Sequence, residues 1–250
     1  PVSRWKRDST SRWRAELLLP AIAACVIGVL FPWVYGGEFN WASTLVVILA
    51  AWVIVGMLRD VFLRVRNANS PASGLRRLTP SYCGMVLAHL GFVISAMGVI
   101  LTSQYAVEQD LKMSPGQSQE NAGYSFVFDE LAVVRGPNFM AEEGRFSVYL
   151  NDELVAKLAP QKRRYLASGQ SMTEAAIDAG FWRDIFIAMG EPIGDDAWSI
   201  RLHYKPFVRW IWFGAILMGA GGLLTVSDRR YRRVKDRVTA SSVAGKGAGA

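Results

Sequence analysis

The chain has 250 residues, 51% of them hydrophobic, and a formal net charge of +7. Its basic residues are concentrated beside long apolar runs, at 4–14, 59–77 and 229–237, which is typical of juxtamembrane loops and argues against a nucleic-acid-binding surface. The two cysteines and two histidines form no CxxC, CxxCH or multi-histidine pattern. A disulfide framework, a covalent haem site and a metal site built by this chain alone are therefore not expected.

The chain begins Pro-Val-Ser, and residues 1–16 are basic with two tryptophans. This composition predicts an interfacial segment that leads into the bilayer. Because neither an initiator methionine nor a signal peptide is present, we expect the C-terminal portion of a longer protein, or a subunit that starts at this point.

Four apolar runs are long enough for membrane helices, at residues 17–35, 41–58, 83–102 and 210–226. Tryptophans at the ends of these runs predict aromatic belts: Trp33, Trp41, Trp210 and Trp212. All three basic segments fall on one side of this topology. The positive-inside rule makes that side cytoplasmic and places residues 104–206 in the periplasm of a bacterium.

The third apolar run carries one ionisable side chain, His89, at a depth where an imidazole is costly and by default marks a functional site. Gly84, Gly91 and Gly98 recur every seven residues and form a stripe roughly opposite His89. A glycine stripe lets another helix approach closely, so we expect His89 to face a different space. The side chains flanking that space are Tyr82, Met85, Val86, Phe92, Val93 and Ala96.

From the residues alone, several roles for His89 remain open: a haem ligand, a proton relay, an ion-pathway residue, or a structural histidine hydrogen-bonded to a neighbouring helix. A relay normally needs further acids or histidines, and the interiors of the four predicted helices contain none. A single haem ligand needs only a partner histidine on another helix.

Residues 104–206 are expected to be rich in β-strands, because 124–134, 145–150 and 197–204 alternate apolar and polar side chains. Residues 151–154 predict a hairpin turn, 172–176 a single helical turn, and 184–190 a further strand. The predicted fold is an α-helical membrane protein with four transmembrane helices and a β-rich periplasmic domain, a small sandwich or open barrel, between the third and fourth helices.

The predicted organisation has four parts. Residues 1–103 hold the basic segment and three transmembrane helices, and 104–206 form the periplasmic β-rich domain. Residues 207–227 form the fourth helix, and 228–250 form a basic cytoplasmic tail whose Ser/Ala/Gly composition predicts disorder.

The basic run at 162–165 is a candidate for binding carboxylates or a partner protein, although a solvated strand end is the more frequent explanation. The candidate partner contacts in this region are Lys162, Arg163, Tyr165, Met172, Thr173 and Glu174. His203 is interpreted as an ordinary surface or interface residue. The sequence shows no paired-carboxylate, Ser/His/Asp or Cys/His pattern, so no catalytic residue is predicted in this chain.

Five stretches together resemble the C-terminal half of the CcmF family, the haem lyases of bacterial type I cytochrome c maturation. They are RWKRD at 4–8, MVLAHLG at 85–91, GPNFMAEEGRF at 136–146, MTEAAIDAGFWRDIFIAMGEP at 172–192, and YKPFVRWIWFGAILMGAGGLL at 204–224 with SDRRYR behind it. NrfE-type lyases, which serve a nitrite reductase, share much of this pattern.

The resemblance implies a role in an inner-membrane machine. Members of the family take haem, their transient substrate, from the chaperone CcmE and join its vinyl groups to the CxxCH cysteines of apocytochrome c, which CcmH and CcmI present. They also hold a non-covalent haem b between two membrane histidines. Because His89 occupies the histidine position of MVLAHLG, the resemblance makes it one axial ligand, and Tyr82, Met85, Phe92, Val93 and Ala96 candidate pocket lining.

The departures from the family pattern are also informative. The tryptophan-rich WWD segment, two periplasmic histidines and the second membrane histidine are absent, so the chain is not expected to ligate haem alone. His203 stands where the family would have an aromatic residue. The alternatives are a membrane-anchored scaffold without its own haem site and an NrfE-type subunit; a transporter is disfavoured because intramembrane acids and broken helices are missing.

Overall fold

A computed structural model describes residues 10–66, 73–74, 78–194 and 196–228. The predictions for residues 1–9, for most of the loop 67–77 and for the tail beyond residue 228 lie outside these ranges. The chain divides into two compact units. We call residues 1–100 with 210–250 the membrane unit, and residues 101–209 the β unit.

Four long helices form in the described residues: α1 (Thr10–Gly36), α2 (Trp41–Arg66), α3 (Pro80–Tyr105) and α4 (Val208–Val226). Three of them, α2, α3 and α4, are long and apolar enough to cross a membrane, whereas Pro20–Gly36 of α1 is a shorter apolar stretch. The predicted apolar runs are thus helical, and the prediction of a helical membrane protein is confirmed.

Side-chain caps fix where two of these helices begin. The Asn40 Oδ1 atom accepts the backbone N–H of Ser43 at 2.9 Å at the start of α2. Thr79 Oγ1 accepts the N–H of Tyr82 at 3.2 Å at the start of α3, so Thr79 is the N-cap of this helix. Both contacts satisfy N–H groups that the first turn of a helix leaves without a backbone partner.

The β unit contains ten strands in the described residues, and their bounds follow from the hydrogen-bond ladders. They are β1 (Val107–Met113), β2 (Ser118–Asn121), β3 (Tyr124–Arg135), β4 (Phe139–Leu150), β5 (Glu153–Leu158), β6 (Gln161–Tyr165), β7 (Ser171–Glu174), β8 (Ala176–Ala179), β9 (Arg183–Pro192) and β10 (Trp198–Pro206). One sheet has the order β1-β10-β9-β8, and the other has β2-β3-β4-β6-β7 with β5 paired to β4. The prediction of a β-rich domain is confirmed as a sandwich.

Two local predictions have opposite outcomes. The hairpin turn between β4 and β5 is confirmed, since Asn151 and Asp152 both have positive φ, at 50° and 65°, as a two-residue hairpin of the mirror-image type requires. The single helical turn over 172–176 is wrong. Met172 pairs with Arg163 of β6, and the ladder with that neighbouring strand outweighs the local preference of Met-Thr-Glu-Ala for helix.

The core of the sandwich is dry and made of large side chains from both sheets. Phe126 and Phe128 alternate with outward-facing residues on β3, and Ile185, Ile187 and Met189 do the same on β9; all five are 0% exposed. Burying each such side chain stabilises the fold by about 1.5–3 kcal/mol. Phe128 also stacks on Phe146, with ring centroids 4.5 Å apart.

Candidate functional site

The glycine stripe of α3 lies against another helix, as predicted, and that helix is α4. A Cβ atom added to Gly91 would lie 2.5 Å from the carbonyl oxygen of Gly214, and one added to Gly221 would lie 2.5 Å from that of Gly84. Since real Cβ atoms do not approach oxygen this closely, only glycine permits this backbone separation. Ser95 Oγ adds a hydrogen bond across the seam to the carbonyl of Ile211, at 3.1 Å.

His89 lies on another side of α3 and is exposed in this chain. Its Nδ1 atom is 2.8 Å from the carbonyl oxygen of Met85, one turn earlier. A carbonyl oxygen only accepts hydrogen bonds, so Nδ1 carries the proton and donates it. In the neutral imidazole, Nε2 is then the nitrogen that carries the free lone pair. Donation of one ring N–H to a backbone carbonyl is the usual arrangement for a metal-ligating histidine.

The five predicted pocket-lining residues are distributed unequally around His89. Phe92, three residues further along and hence on the same helical face, is 64% exposed. Met85 and Ala96 are half-buried, whereas Val93 is only 5% exposed. The surface beside the imidazole is therefore apolar and open, and Phe92 is its most exposed residue.

Tyr82 has polar partners on α2. Its hydroxyl donates to Asp60 Oδ2 at 2.6 Å, and the Arg64 guanidinium lies 4.4 Å from its ring centroid. Arg64 Nε also donates to the Asp60 carboxylate, at 3.0 Å. This cluster joins α2 to α3 near the basic end of both helices, two turns before His89. Tyr82 thus has a structural role in holding the two helices together.

The candidate partner contacts on β6 and β7 are brought together by strand pairing. Lys162 lies opposite Thr173, and Arg163 opposite Met172. Their cationic groups have partners within the chain: Lys162 Nζ lies 2.5 Å from Glu191 Oε1, and Arg163 lies 3.1 Å from Glu174 Oε1. These ion pairs reduce the free positive charge that a carboxylate ligand would require.

Comparison with known proteins supplies the decisive observation. Residues 104–206 match the family model of the CcmF C-terminal β-sandwich. The chain is 47% identical over 247 residues to a cytochrome c-type biogenesis protein CcmF of Pseudomonas aeruginosa, covering 98% of the chain and 37% of that protein. The CcmF of Escherichia coli is 37% identical over 241 residues, covering 96% of the chain and 36% of the relative.

The chain belongs to the CcmF family. It corresponds to the C-terminal part of these proteins and spans just over a third of their length. A cytochrome c-type biogenesis protein NrfE of Haemophilus influenzae is 37% identical over 160 residues, covering 64% of the chain and 25% of that relative. The fold also matches a solved cytochrome c haem lyase CcmF with a TM-score of 0.66 at 17% identity, over 91% of this chain and 36% of that one.

His203 of this CcmF-family chain is less exposed than its alternating strand pattern predicts. It is 7% exposed, and its ring meets Phe186 edge-on with centroids 4.9 Å apart. Burial lowers the pKa of the imidazole, and the Glu108 carboxylate, 3.5 Å from Nδ1, only partly opposes that shift. His203 is therefore a neutral packing residue of the sandwich.

A second polar network, which joins β3 to the loop between β8 and β9, was not predicted from the sequence. Arg183 hydrogen-bonds to the Asp178 carboxylate and, at 3.2 Å, to the Tyr124 hydroxyl. Burial of the guanidinium opposes its charge, but the hydrogen bonds to Asp178 and Tyr124 outweigh burial and raise the pKa of Arg183. The sequence indicates only that Asp178 and Arg183 lie close together on either side of a loop. The contact with Tyr124 requires the tertiary fold, because Tyr124 is more than fifty residues earlier in the chain.

Proposed function

We propose that this chain is the part of a cytochrome c haem lyase that supplies His89 as one axial ligand of a non-covalent haem b in the inner membrane. The observation that carries the proposal is the Nδ1 contact with the Met85 carbonyl at 2.8 Å, which leaves Nε2 of the exposed, neutral imidazole available as a ligand. Haem iron is commonly held by such an imidazole nitrogen. The fit is to one ligand, and the second comes from elsewhere in the lyase.

The remaining contributions of the chain are positional. The glycine seam holds α3 against α4, and the Asp60–Tyr82–Arg64 cluster holds it against α2, so His89 stands on a helix fixed from two sides. Phe92, Met85 and Ala96 present an apolar surface that excludes water from the iron. When bound, the haem b supplies one-electron chemistry that keeps the transferred haem reduced.

The proposal also includes a membrane topology and a set of partners. Residues 104–206 lie in the periplasm, with the basic ends of the helices in the cytoplasm. The partners are the WWD-containing upstream part of the lyase, a CcmE-like haem chaperone, CcmH- and CcmI-like proteins and apocytochrome c, whose CxxCH cysteines receive the transient haem substrate. An NrfE-type role is the second candidate; the similarity to NrfE covers 64% of this chain, against 98% for CcmF, which favours the CcmF role.

The test is to replace His89 with alanine in the whole lyase and to record the haem spectrum and the reduction potential. Loss of the bis-histidine spectrum, with protein yield unchanged, is expected. Val99→Ala is the matched control, because Val99 is 48% exposed on the same helix and has no ligating atom. An unchanged spectrum in His89→Ala together with normal partner co-purification would establish a scaffold role instead.

His89→Met sharpens the result. Methionine is an alternative axial ligand that raises the reduction potential of haem iron, so a potential shifted upward with haem retained identifies position 89 as a ligand. A spectrum and potential identical to those of the native lyase would contradict direct ligation.

A further inference from the structure

The loop between β8 and β9 exposes two large aromatic rings. Phe181 is 48% exposed and Trp182 is 63% exposed. Their rings meet edge-to-face, with centroids 5.2 Å apart. On a hairpin loop such a pair leaves a large apolar area that the chain itself does not cover, which commonly marks an interaction site.

The loop is attached to the point where the chain enters α4. The backbone N–H of Phe207 donates to the carbonyl of Trp182 at 2.9 Å, and the two rings lie edge-on with centroids 6.4 Å apart. Phe207 is 5% exposed and has a φ of 60°, a left-handed conformation that costs a non-glycine residue about 1–2 kcal/mol. These contacts hold Phe207 in that conformation directly before Val208, the first residue of α4.

Polar contacts make the loop rigid and place a cation beside it. The N–H of Gly180 donates to Asp184 Oδ1 at 3.1 Å and to the Arg183 carbonyl at 2.9 Å. Asp184 also lies 3.8 Å from Arg209 Nε, and the Arg209 side chain is 52% exposed. A rigid Trp-Phe pair next to an accessible arginine matches the composition of the membrane–water interface.

We propose that Phe181 and Trp182 form a lipid anchor that inserts into the outer interfacial layer of the bilayer crossed by α4. The apolar helix starts at Val208, so the loop bonded to Phe207 lies at the level of the lipid headgroups. There the indole N–H can donate to headgroup oxygens while the ring faces the acyl boundary, and Arg209 can pair with a lipid phosphate. The inference depends on α4 as a membrane span and not on haem ligation by His89.

The test uses nitroxide labels on the whole lyase in bilayers of phosphatidylcholine and phosphatidylglycerol. Phe181→Cys and Trp182→Cys are made separately, after Cys25 and Cys83 have been replaced by alanine. Collisional access to oxygen, which concentrates in lipid, is compared with access to a water-soluble nickel chelate. A several-fold higher oxygen-to-nickel ratio at 181 and 182 than at an aqueous reference site is expected.

Leu166→Cys is the reference. Leu166 is 56% exposed, nearly as much as Trp182. Its N–H donates to the carbonyl of Asn138 at 2.9 Å, so it lies beside the turn at the end of β3. The start of the same strand lies next to the anchor, because Tyr124 contacts Arg183 there. The rise of an antiparallel strand puts the two ends of β3 roughly 40 Å apart.

Each outcome decides the proposal. High oxygen and low nickel access at 181 and 182, with the reverse at 166, supports lipid contact. Nickel access at 182 equal to that at 166 places the loop in water, and low access to both reagents places it against another protein segment; either result overturns the anchor. Two label positions guard against a single variant that fails to fold.

Discussion

The two units of this molecule bring their elements together by opposite means. The seam between α3 and α4 is built from glycines, and the carbonyl oxygens of one helix lie where the other helix would have a Cβ atom. The sandwich is filled by large side chains, with Phe126, Phe128 and Phe146 at 1% exposure or less. One packing removes side chains from the contact, and the other depends on them.

The solvent explains the difference. Apolar area removed from water drives the sandwich together at about 25 cal/mol per Å², so bulky residues are favoured there. Between membrane helices that driving force is missing, because lipid tails are as apolar as leucine, and close backbone packing takes its place. Loss of side-chain bulk should therefore destabilise the sandwich, and gain of bulk should destabilise the glycine seam.

The largest effect is expected from removing bulk inside the sandwich. Phe126→Ala should lower the free energy of unfolding by about 3–5 kcal/mol, since the cavity adds to the lost transfer energy. Denaturant titration of the purified chain in detergent, followed by tryptophan fluorescence to which Trp198 in the core contributes, measures it. Val133→Ala on the same strand is the control, because Val133 is 71% exposed; a loss there comparable to that of Phe126→Ala would contradict the assigned core.

Adding bulk to the glycine seam should give the next largest effect. Gly221→Ala places a methyl group 2.5 Å from the Gly84 carbonyl oxygen, and such overpacking costs about 1–3 kcal/mol. The adjacent Gly222 has no atom within 4 Å of its added Cβ. Gly222→Ala should therefore be neutral or stabilise α4 by up to about 1 kcal/mol.

Unfolding of the helices in mixed micelles, monitored by circular dichroism, compares the two alanine variants. Equal stability of Gly221→Ala and Gly222→Ala would show that the seam is not closely packed in the membrane. The pair is a strict control because the two residues are neighbours in one helix and differ only in which side they face.

Local periodicity predicted a large part of this architecture. The seven-residue recurrence of Gly84, Gly91 and Gly98 identified the seam, and the alternation in 124–134 identified β3. The position of His89 opposite the glycines came from the same periodicity, and its match to MVLAHLG suggested the ligand role, which stays a prediction. These features repeat along a single element, so they are legible without tertiary information.

Features that depend on contacts between distant chain segments could not be predicted from the sequence. Tyr82 was predicted to line a haem pocket, but its hydroxyl donates to Asp60, 22 residues earlier. His203 was predicted to be a surface or interface residue, but strand pairing places it between Glu108 of β1 and Phe186 of β9. Asp228 caps a helix that begins far earlier in the chain. Each needs the register or packing of two elements, which composition and periodicity do not encode.

Asp228 gives the third prediction. The residue is 4% exposed, and its carboxylate accepts the N–H of Ser81 in the first turn of α3 at 3.2 Å. It therefore connects the end of α4 to the start of α3, beyond the last glycine of the seam. Asp228→Ala should cost about 0.5–2 kcal/mol, the range for a lost N-terminal cap.

Asp228→Asn keeps an acceptor oxygen and should retain most of that energy. Comparison of both variants in the mixed-micelle assay separates the hydrogen bond from the rest of the side chain. If Asp228→Ala matched the native chain in stability, the cap would contribute nothing to the pairing of α3 with α4.

The smallest expected effect belongs to the sandwich and depends on pH. Burial lowers the pKa of His203 below its ordinary 6.5, so the unfolded chain binds a proton that the folded chain does not. The stability is therefore complete above pH 6.5 and falls as the pH drops toward the lower folded pKa, by at most about 1.4 kcal/mol per pH unit for one proton. Denaturant titrations between about pH 5 and 7 measure the slope of stability against pH.

His203→Phe is the control, because it preserves a ring against Phe186 and should remove the slope. The nearby Asp110 does not contribute in this range, because the hydrogen bond from Arg201 lowers its pKa and it titrates at lower pH. An equal slope in both proteins would assign the proton uptake to other groups and leave His203 a packing residue without linkage to pH.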